Sequence, residues 1–287
     1  MSELSEAASG SGTELRYGDL VAISESDFSI PAGQTTAVIG PNGSGKSTLL
    51  AAIAGVHKPT RGTVTVLGTT PEKARPQVAF VPQSTKVNET LPVTVREVVA
   101  MGRYPSLGFL RRFTAADRHA IHGAMSRLDL LPIASRHVAE LSGGQRQRVF
   151  VAQGLAQERR LLLLDEPMTA LDGTSAAIVN RVIRDERDEG RTVILTTHDL
   201  SEAERCDHVV LVGGRVVAQG PPPRVLTAEI LSEVYRSQVL EVDGRLLFDD
   251  PAHASHGARH VHSERAAQTH AHSDAVPGDS AEDQSKA

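Results

Sequence analysis

The sequence predicts an α/β fold, and three observations lead to that expectation. Short apolar runs that are typical of buried strands recur along the chain, namely TTAVIG, VAFV, LLLLDEP and TVILTTHD. Stretches of helix-forming residues separate several of these runs. A glycine-rich turn, GPNGSGK, joins the first run directly to the helix-forming segment STLLAAIAG. A sheet of buried strands covered by helices accounts for all three observations.

Changes in composition divide the chain into a domain and two flanking segments. Residues 1–13 are small, polar and acidic, which predicts a flexible leader. Residues 14–250 form the predicted domain, in which GTVTVLG and DFSIPAG are expected to belong to an antiparallel sheet. Residues 251–287 contain almost no large apolar side chains and are rich in histidine, so they are expected to form a disordered tail.

Charge and composition argue against two classes of function. The formal net charge is −5, and aromatic residues are only 3% of the total. Proteins that bind nucleic acid typically show basic runs or base-stacking platforms, so we expect no nucleic-acid partner. No apolar run reaches the roughly 18 to 20 residues that span a bilayer, and no signal sequence is evident. We therefore expect a cytosolic chain in which Cys206 is simply a buried apolar residue.

The glycine-rich turn fits the phosphate-loop pattern G-x-x-x-x-G-K-[ST]. Its glycines let backbone N–H groups turn inward around phosphate oxygens, and the following helix N-terminus adds partial positive charge. Lys46 is expected to neutralise the β and γ phosphates of a nucleotide, and the Ser47 hydroxyl to coordinate Mg²⁺. The residues predicted to hold the nucleotide here are Gly40, Pro41, Asn42, Gly43, Ser44, Gly45, Lys46, Ser47 and Thr48.

Polar side chains follow two of the predicted buried strands. The run LLLLDEP would deliver Asp165 towards Mg²⁺ and Glu166 towards the water that attacks the γ phosphate. The run TVILTTHD ends on His198, which is expected either to contact the γ phosphate or that water, or to be an ordinary satisfied histidine. A phosphate loop with these carboxylates predicts nucleotide hydrolysis.

The stretch LSGGQRQR, residues 141–148, adds a family resemblance. Ser142 is a good N-cap, and the two glycines after it expose N–H groups at the start of a helix whose dipole favours an anion. With the motifs above, residues 14–240 resemble the nucleotide-binding subunit of an ATP-binding cassette (ABC) transporter. The resemblance implies a P-loop NTPase of the ABC type, with a RecA-like core, an antiparallel β subdomain and an inserted α-helical subdomain at about 84–160.

The resemblance also implies roles for individual residues. Tyr17 resembles the aromatic residue that stacks on adenine, although an ordinary strand tyrosine is the alternative. Gln83 resembles the hinge glutamine that senses Mg²⁺ and water, and Asp172 the aspartate that communicates across a dimer. Met168 stands where the family often has threonine, so we expect only local packing to differ there. The residues that would face the ATP held by the other subunit are Ser142, Gly143, Gly144 and Gln145.

As a member of such a family, the chain would form a homodimer that closes on two ATP molecules with Mg²⁺ and reopens after hydrolysis. The segment after Gln83 would pass the movement to an integral membrane permease, which places the chain at the cytoplasmic face of the cell membrane. Residues 101–119, MGRYPSLGFLRRFTAADRH, are either a permease contact or a solvated helix connector. Import is expected because many exporters fuse their membrane spans to this domain.

The cargo is expected to be a transition metal, which an extracytoplasmic metal-binding protein would deliver. Segments 101–114 and 154–172 resemble the branch of importers for metals or metal chelates, and we rank zinc first, manganese second and an iron chelate third. The tail could bind Zn²⁺, or could be a solvated extension without a ligand. Its candidate ligands are His253, His256, His260, His262, His270 and His272.

Two other classes of function remain open. A soluble cassette ATPase, such as an assembly factor for iron-sulfur clusters, would use the same ATP chemistry without moving a substrate across a membrane. A metal-binding scaffold that uses the histidine tail would leave the hydrolytic motifs unexplained.

Overall fold

The computed structural model describes residues 5–83, 92–107, 112–169, 171–235, 240–242 and 245–247. The chain divides into two units, residues 1–249 and 250–287, and all described residues belong to the first. The predicted histidine-rich tail over 251–287 lies outside the described residues.

The strands form three sheets within the described part of the chain. The strands are β1 (Glu6–Tyr17), β2 (Leu20–Pro31), β3 (Thr35–Ile39), β4 (Arg61–Val66), β5 (Val78–Val81), β6 (Leu161–Leu164), β7 (Thr192–Thr197), β8 (His208–Val212), β9 (Val216–Gly220), β10 (Leu240–Val242) and β11 (Arg245–Leu247).

The α-helices lie between and beside these strands. They are α1 (Lys46–Ile53), α2 (Pro71–Ala74), α3 (Val95–Met101), α4 (Tyr104–Leu107), α5 (Ala115–Arg127), α6 (Gly143–Leu155), α7 (Gly173–Asp188), α8 (Leu200–Ala203), α9 (Pro222–Val225) and α10 (Ala228–Tyr235). Within the described residues, no helix is both long enough and apolar enough to cross a membrane.

The largest sheet has the strand order β5-β6-β7-β3-β8-β9, in which β5 to β8 run parallel and β9 is antiparallel. The four apolar runs of the sequence analysis supply β3, β5, β6 and β7, so the prediction of buried strands is confirmed, and the structure shows that these strands run parallel. Neighbouring residues of one strand face opposite sides of a sheet. Val38 packs in one core with Leu49 of α1, and Ile39 packs in the other with Val182 of α7.

The prediction of a flexible leader over 1–13 is wrong from Glu6 onward, because β1 is the central strand of the sheet β2-β1-β4. Antiparallel partners on both sides satisfy its backbone groups. Its small residues are required by packing: Ala7 and Ala8 are buried, and a Cβ on Gly10 would lie 2.2 Å from the ring of Phe28. Composition alone does not reveal this strand, since a strand of small residues resembles a loose segment.

The expectation that GTVTVLG and DFSIPAG belong to one antiparallel sheet is correct, and β1 lies between them.

The described residues between β5 and β6, where the helical subdomain is expected, contain α3 to α6 and two 3₁₀ turns. Each of α3, α5 and α6 begins with a capping box, in which an N-cap hydroxyl and the third helical residue exchange hydrogen bonds. These reciprocal bonds fix where each helix starts, so the segment is well defined even though it lies outside the large sheet.

The capping box of α5 gives a pH-dependent prediction. Hydrogen bonds from Thr114, and then from Arg103, lower the pKa of Asp117 from 3.8 to about 2. A carboxyl group whose pKa is lower in the folded state stabilises the fold above its unfolded pKa, and this contribution is lost as the pH falls towards 2. We expect Asp117→Asn to lower the midpoint of thermal unfolding by about 2–4 °C near neutral pH.

Circular dichroism melts between about pH 5 and pH 2.5 test this prediction, because the deficit of Asp117→Asn should shrink across that window. Asp19→Asn is a suitable control, since no hydrogen bond to the Asp19 side chain occurs within the described residues. A deficit that stays constant with pH would contradict the assignment.

Candidate active site

The phosphate loop joins the end of β3 to the start of α1, and two of its glycines are packed against other strands. A Cβ on Gly40, where φ is 151°, would lie 2.0 Å from the carbonyl oxygen of Val212. A Cβ on Gly45, where φ is 105°, would lie 2.7 Å from the carbonyl oxygen of Ala22. The backbone therefore passes too close to β8 and β2 for larger residues, as the phosphate-loop pattern requires.

Lys46 is the first residue of α1 and is only 5% exposed. Its Nζ donates to the carbonyl oxygen of Gly40 at 2.8 Å and to that of Pro41 at 3.0 Å. The ammonium group is thus held inside the curve of the loop, where phosphate oxygens would replace or add to the carbonyl partners. The remaining residues of the predicted loop, from Asn42 to Thr48, lie in the same turn and the first turn of α1.

Asp165, Ser47 and Thr196 form one cluster of oxygen atoms at the carboxyl ends of β6 and β7. The hydroxyl of Ser47 donates to Asp165 Oδ1 at 3.0 Å, and that of Thr196 donates to the same oxygen at 2.6 Å. Mg²⁺ prefers oxygen ligands and is commonly held by one or two protein groups together with phosphates and water. The pair Ser47 and Asp165 therefore fits this ion in chemistry and proximity.

Glu166 lies beside this cluster in an unusual backbone conformation, with φ at 47°. Its backbone N–H donates to Thr196 Oγ1 at 2.8 Å, and its Oε2 accepts from Gln83 Nε2 at 2.7 Å and from Thr169 Oγ1 at 3.1 Å. A non-glycine residue in the left-handed region carries strain that the surroundings must offset, and such residues cluster at functional sites. The carboxylate is therefore oriented by two donors and a fixed backbone.

Sequence reasoning missed Thr196 and Thr169. Thr196 connects the two carboxylate residues, because its oxygen accepts from Glu166 and donates to Asp165. A polar residue near the end of an otherwise buried strand, as in TVILTTHD, is the signal that could have found it.

His198 directly follows β7 and is exposed. The residue before it, Thr197, donates from Oγ1 to Glu202 Oε2 at 2.5 Å and accepts from the N–H of Asp199. Burial raises the pKa of Glu202. These bonds hold the turn that presents His198 on the same edge of the sheet as Asp165 and Glu166.

The predicted contacts for a second nucleotide lie at the start of α6, beside the start of α7. Ser142 N-caps α6, and its N–H donates to Gln145 Oε1 at 3.2 Å. A Cβ on Gly144 would lie 3.0 Å from Ser175 Oγ and 3.5 Å from Asp172. Asp172 N-caps α7, and the hydrogen bond from the backbone of Ser175 lowers the pKa of its carboxyl group. The starts of α6 and α7 are therefore neighbours.

The site residues thus form two groups. Gln83, Lys46, Ser47, Asp165 and Glu166 meet around the phosphate loop, whereas Ser142 to Gln145 meet Asp172 at the start of α6. A Cβ built on Gly143 would meet no atom within 4 Å, so the start of α6 is open at this position. Within the described part of the chain, no three or more His, Cys, Asp or Glu side chains cluster as a metal site.

Comparison with known proteins decides what these groups are. A family model described as ABC transporter matches residues 23–169, just over half of the 287 residues. The chain belongs to the ABC transporter family. The matched range includes the phosphate loop, Gln83, the start of α6 and both carboxylates after β6.

ABC ATPase subunits bind ATP with Mg²⁺, hydrolyse it, dimerise and pair with membrane permease components. This ABC subunit is therefore an ATPase.

Individual relatives cover most of the chain. The manganese transport system ATP-binding protein MntB of Halalkalibacterium halodurans is 38% identical over 78% of this chain and 89% of its own. The chelated iron transport system membrane protein YfeB of Yersinia pestis is 39% identical over 80% of this chain and 79% of its own. An ATP-binding cassette solved as a dimer in a post-hydrolysis state, bound to ADP and Pi, has a TM-score of 0.66 at 25% identity and covers 75% of this chain and 98% of its own. The first two of these relatives are named as parts of metal transport systems.

Proposed function

We propose that this ABC ATPase powers a membrane permease that imports a transition metal, with manganese as the leading cargo. The observation that carries the ATPase assignment is the oxygen cluster of Ser47 and Asp165 beside the oriented carboxylate of Glu166. Manganese replaces zinc at the head of our ranking, because the relatives named above act on manganese and chelated iron. An iron chelate is second, and zinc has no support from these relatives.

The chain's own residues divide the work of hydrolysis. Lys46 and the inward-facing backbone of the loop bind the β and γ phosphates. Ser47 and Asp165 would hold Mg²⁺, which would supply positive charge against the phosphate oxygens. Glu166 accepts the proton of the attacking water at its carboxylate, and Gln83 keeps that carboxylate in place until substrate and water arrive. His198 contacts the γ phosphate or this water from the end of β7.

The similar ATP-binding cassette that was solved as a dimer supports a homodimer of this chain, in which Ser142 to Gln145 face the ATP of the other subunit. Each ATP site then consists of the phosphate loop of one copy and residues Ser142 to Gln145 of the second copy. ATP then favours the closed dimer only through contacts that the open dimer lacks, and loss of the γ phosphate removes them. Asp172 N-caps α7 next to Gly144, so it is positioned to report the closure from one site to the other.

An apolar groove on the helical segment supports the permease partner. The groove has a volume of about 460 Å³ and lies between α3 and α5. Phe113, Ile121, Met125 and Leu131 supply most of its apolar lining, and Arg96, Glu97, Arg118 and His122 line it as well. An amphipathic permease helix whose apolar face enters the groove and whose acidic side chain lies opposite Arg118 fits this lining. Phe113 and Arg118 belong to the expected contact segment 101–119, of which residues 108–111 lie outside the described residues.

We expect Arg118→Glu to reduce the amount of permease that co-purifies with the chain by about tenfold, because it places like charges at the contact. Quantitative pull-down from membranes, normalised to recovered chain, measures this. Lys73→Glu, an equal charge change at an exposed position on α2, is the matched control. Equal recovery with both variants would exclude this groove as the contact.

The same pull-down separates the transporter from the alternative of a soluble cassette ATPase. A multi-span membrane protein recovered with the wild-type chain supports the transporter and a position at the cytoplasmic face of the membrane through that partner. Recovery of only soluble assembly proteins would support the alternative.

Cellular metal content tests the cargo. Cells that lack the chain should contain less manganese, and wild type but not Lys46→Ala should restore it, since transport requires ATP. Unchanged manganese with depleted iron would move the assignment to an iron chelate, and depleted zinc would return it to zinc.

Zinc binding by the six tail histidines is a separate prediction. Removing residues 251–287 should lower the zinc bound per purified chain by at least one ion if the tail is a site. An equal zinc content with and without the tail would leave it as a solvated extension.

A further inference from the structure

The two aromatic rings of Tyr17 and His57 contact each other between the end of β1 and the turn after α1. Their centroids are 4.5 Å apart, with an interplanar angle of 32°. Tyr17 is the last residue of β1 and His57 lies in the turn after α1, so they come from different elements. Tyr17 is nevertheless 53% exposed, so a large part of its ring remains accessible to a ligand.

His57 is held by the turn that ends α1. The N–H of His57 donates to the carbonyl oxygen of Ala51 at 3.1 Å, and that of Val56 donates to the same oxygen at 2.9 Å. The imidazole Nε2 is buried and has no hydrogen-bond partner within the described residues. The ring is therefore positioned by its backbone and by its tilted contact with the ring of Tyr17.

The element that carries His57 also carries the phosphate-binding lysine. α1 begins at Lys46, and the turn that bonds to Ala51 follows its last residue, Ile53. A nucleotide that lies between Tyr17 and Lys46 would thus meet a base support and a phosphate site connected through one helix. Such a connection holds the two ends of the ligand at a fixed separation, which lowers the entropy lost on binding.

We propose that His57 is a positioning residue for the base of ATP: its contact with one side of Tyr17 holds the tyrosine so that the exposed part of its ring is oriented for adenine. This inference rests on the proposed ATP site and on the assignment of Tyr17 to it. Aromatic pairs contribute enough beyond area burial to change an affinity by about two- to tenfold. His57 acts through Tyr17, so its contribution concerns the base and leaves the phosphates unaffected.

The test compares a ligand that has a base with one that lacks it. We expect His57→Ala to raise the KM for ATP by about two- to tenfold, with the effect on KM rather than on kcat. The inhibition constant of inorganic tripolyphosphate, which can occupy the phosphate loop without a base, should stay the same. His57→Phe should restore most of the affinity for ATP, since it keeps a flat ring at this position.

Tyr17→Ala and the double variant Tyr17→Ala with His57→Ala complete a double-mutant cycle. Tyr17→Ala should raise the KM for ATP at least as much as His57→Ala, and the double variant should be no worse than Tyr17→Ala alone. An increased KM in Tyr17→Ala with a normal KM in His57→Ala would overturn the role of His57 and leave the ATP site intact. A normal KM in both would overturn the assignment of Tyr17 and with it this inference. Weaker tripolyphosphate binding in His57→Ala would show a general structural role instead.

Discussion

Glu166→Gln is expected to lower kcat by about 10²- to 10⁴-fold while ATP still binds. Glutamine keeps the shape of the side chain and can still make hydrogen bonds to Gln83 and Thr169, so the geometry around φ of 47° should survive. The amide cannot accept the proton of the attacking water, and the chemical step loses its base. Steady-state phosphate release and equilibrium ATP binding, measured on the same preparation, separate these two effects.

Glu204→Gln is the matched control for this variant. Glu204 is exposed and carries the same charge, and no hydrogen bond to its side chain occurs within the described residues. It should hydrolyse ATP at the wild-type rate. If the Glu166→Gln variant keeps more than about a tenth of the wild-type kcat, the assignment of Glu166 as the general base is wrong.

Lys46→Ala is expected to weaken ATP binding by about 30-fold or more, because it removes a buried charge that would pair with phosphate. The ammonium group also holds the loop together through the carbonyl oxygens of Gly40 and Pro41. Titration calorimetry with MgATP measures the affinity, and the thermal midpoint without nucleotide reports any loss of folding. Hydrolysis should fall with the affinity.

Lys58→Ala provides the comparison for a surface lysine. The side chain of Lys58 is 80% exposed, and its Nζ lies 3.8 Å from Glu72 Oε1, which makes a weak surface ion pair. Its removal should therefore change neither the ATP affinity nor the thermal midpoint appreciably. Wild-type affinity in Lys46→Ala would show that nucleotide binds elsewhere on the chain.

The sequence predicts those parts of the site in which the chemistry lies on consecutive residues. The phosphate loop, Asp165 and Glu166 each follow a short apolar strand, and parallel strands bring their carboxyl ends to one edge of a sheet. The contacts between these residues depend on pairs that are distant in sequence. Gln83 meets Glu166 across 83 positions, and Thr196 meets Asp165 across 31, which no local pattern specifies.

Composition was a poor guide where packing requires small residues. The start of β1 reads as a loose polar leader, yet Ala8 and Thr13 are buried and Gly10 leaves room for the ring of Phe28. This segment becomes a strand because it pairs with β2 and β4, and both of these strands come later in the chain. The contact between Tyr17 and His57 was missed for the same reason, since it joins the ends of two separate elements.

The cargo could be predicted only as a transition metal. In the proposed function the metal passes through the permease and never contacts the ATPase, so no residue of the active site records its identity. Manganese replaced zinc as the leading cargo because of the names of the relatives. Neither the oxygen cluster nor the oriented carboxylate distinguishes a manganese transporter from a zinc transporter.

A mixing experiment with two inactive variants most directly tests whether two chains share each ATP site. Lys46→Ala damages the phosphate loop, and Ser142→Arg blocks the start of α6, so each variant alone, assembled with its permease, should hydrolyse almost no ATP. In an equal mixture, half of the dimers should contain one undamaged site, and hydrolysis should return to about a quarter of the wild-type rate. A mixture with no more activity than the sum of the two separate variants would contradict the shared site.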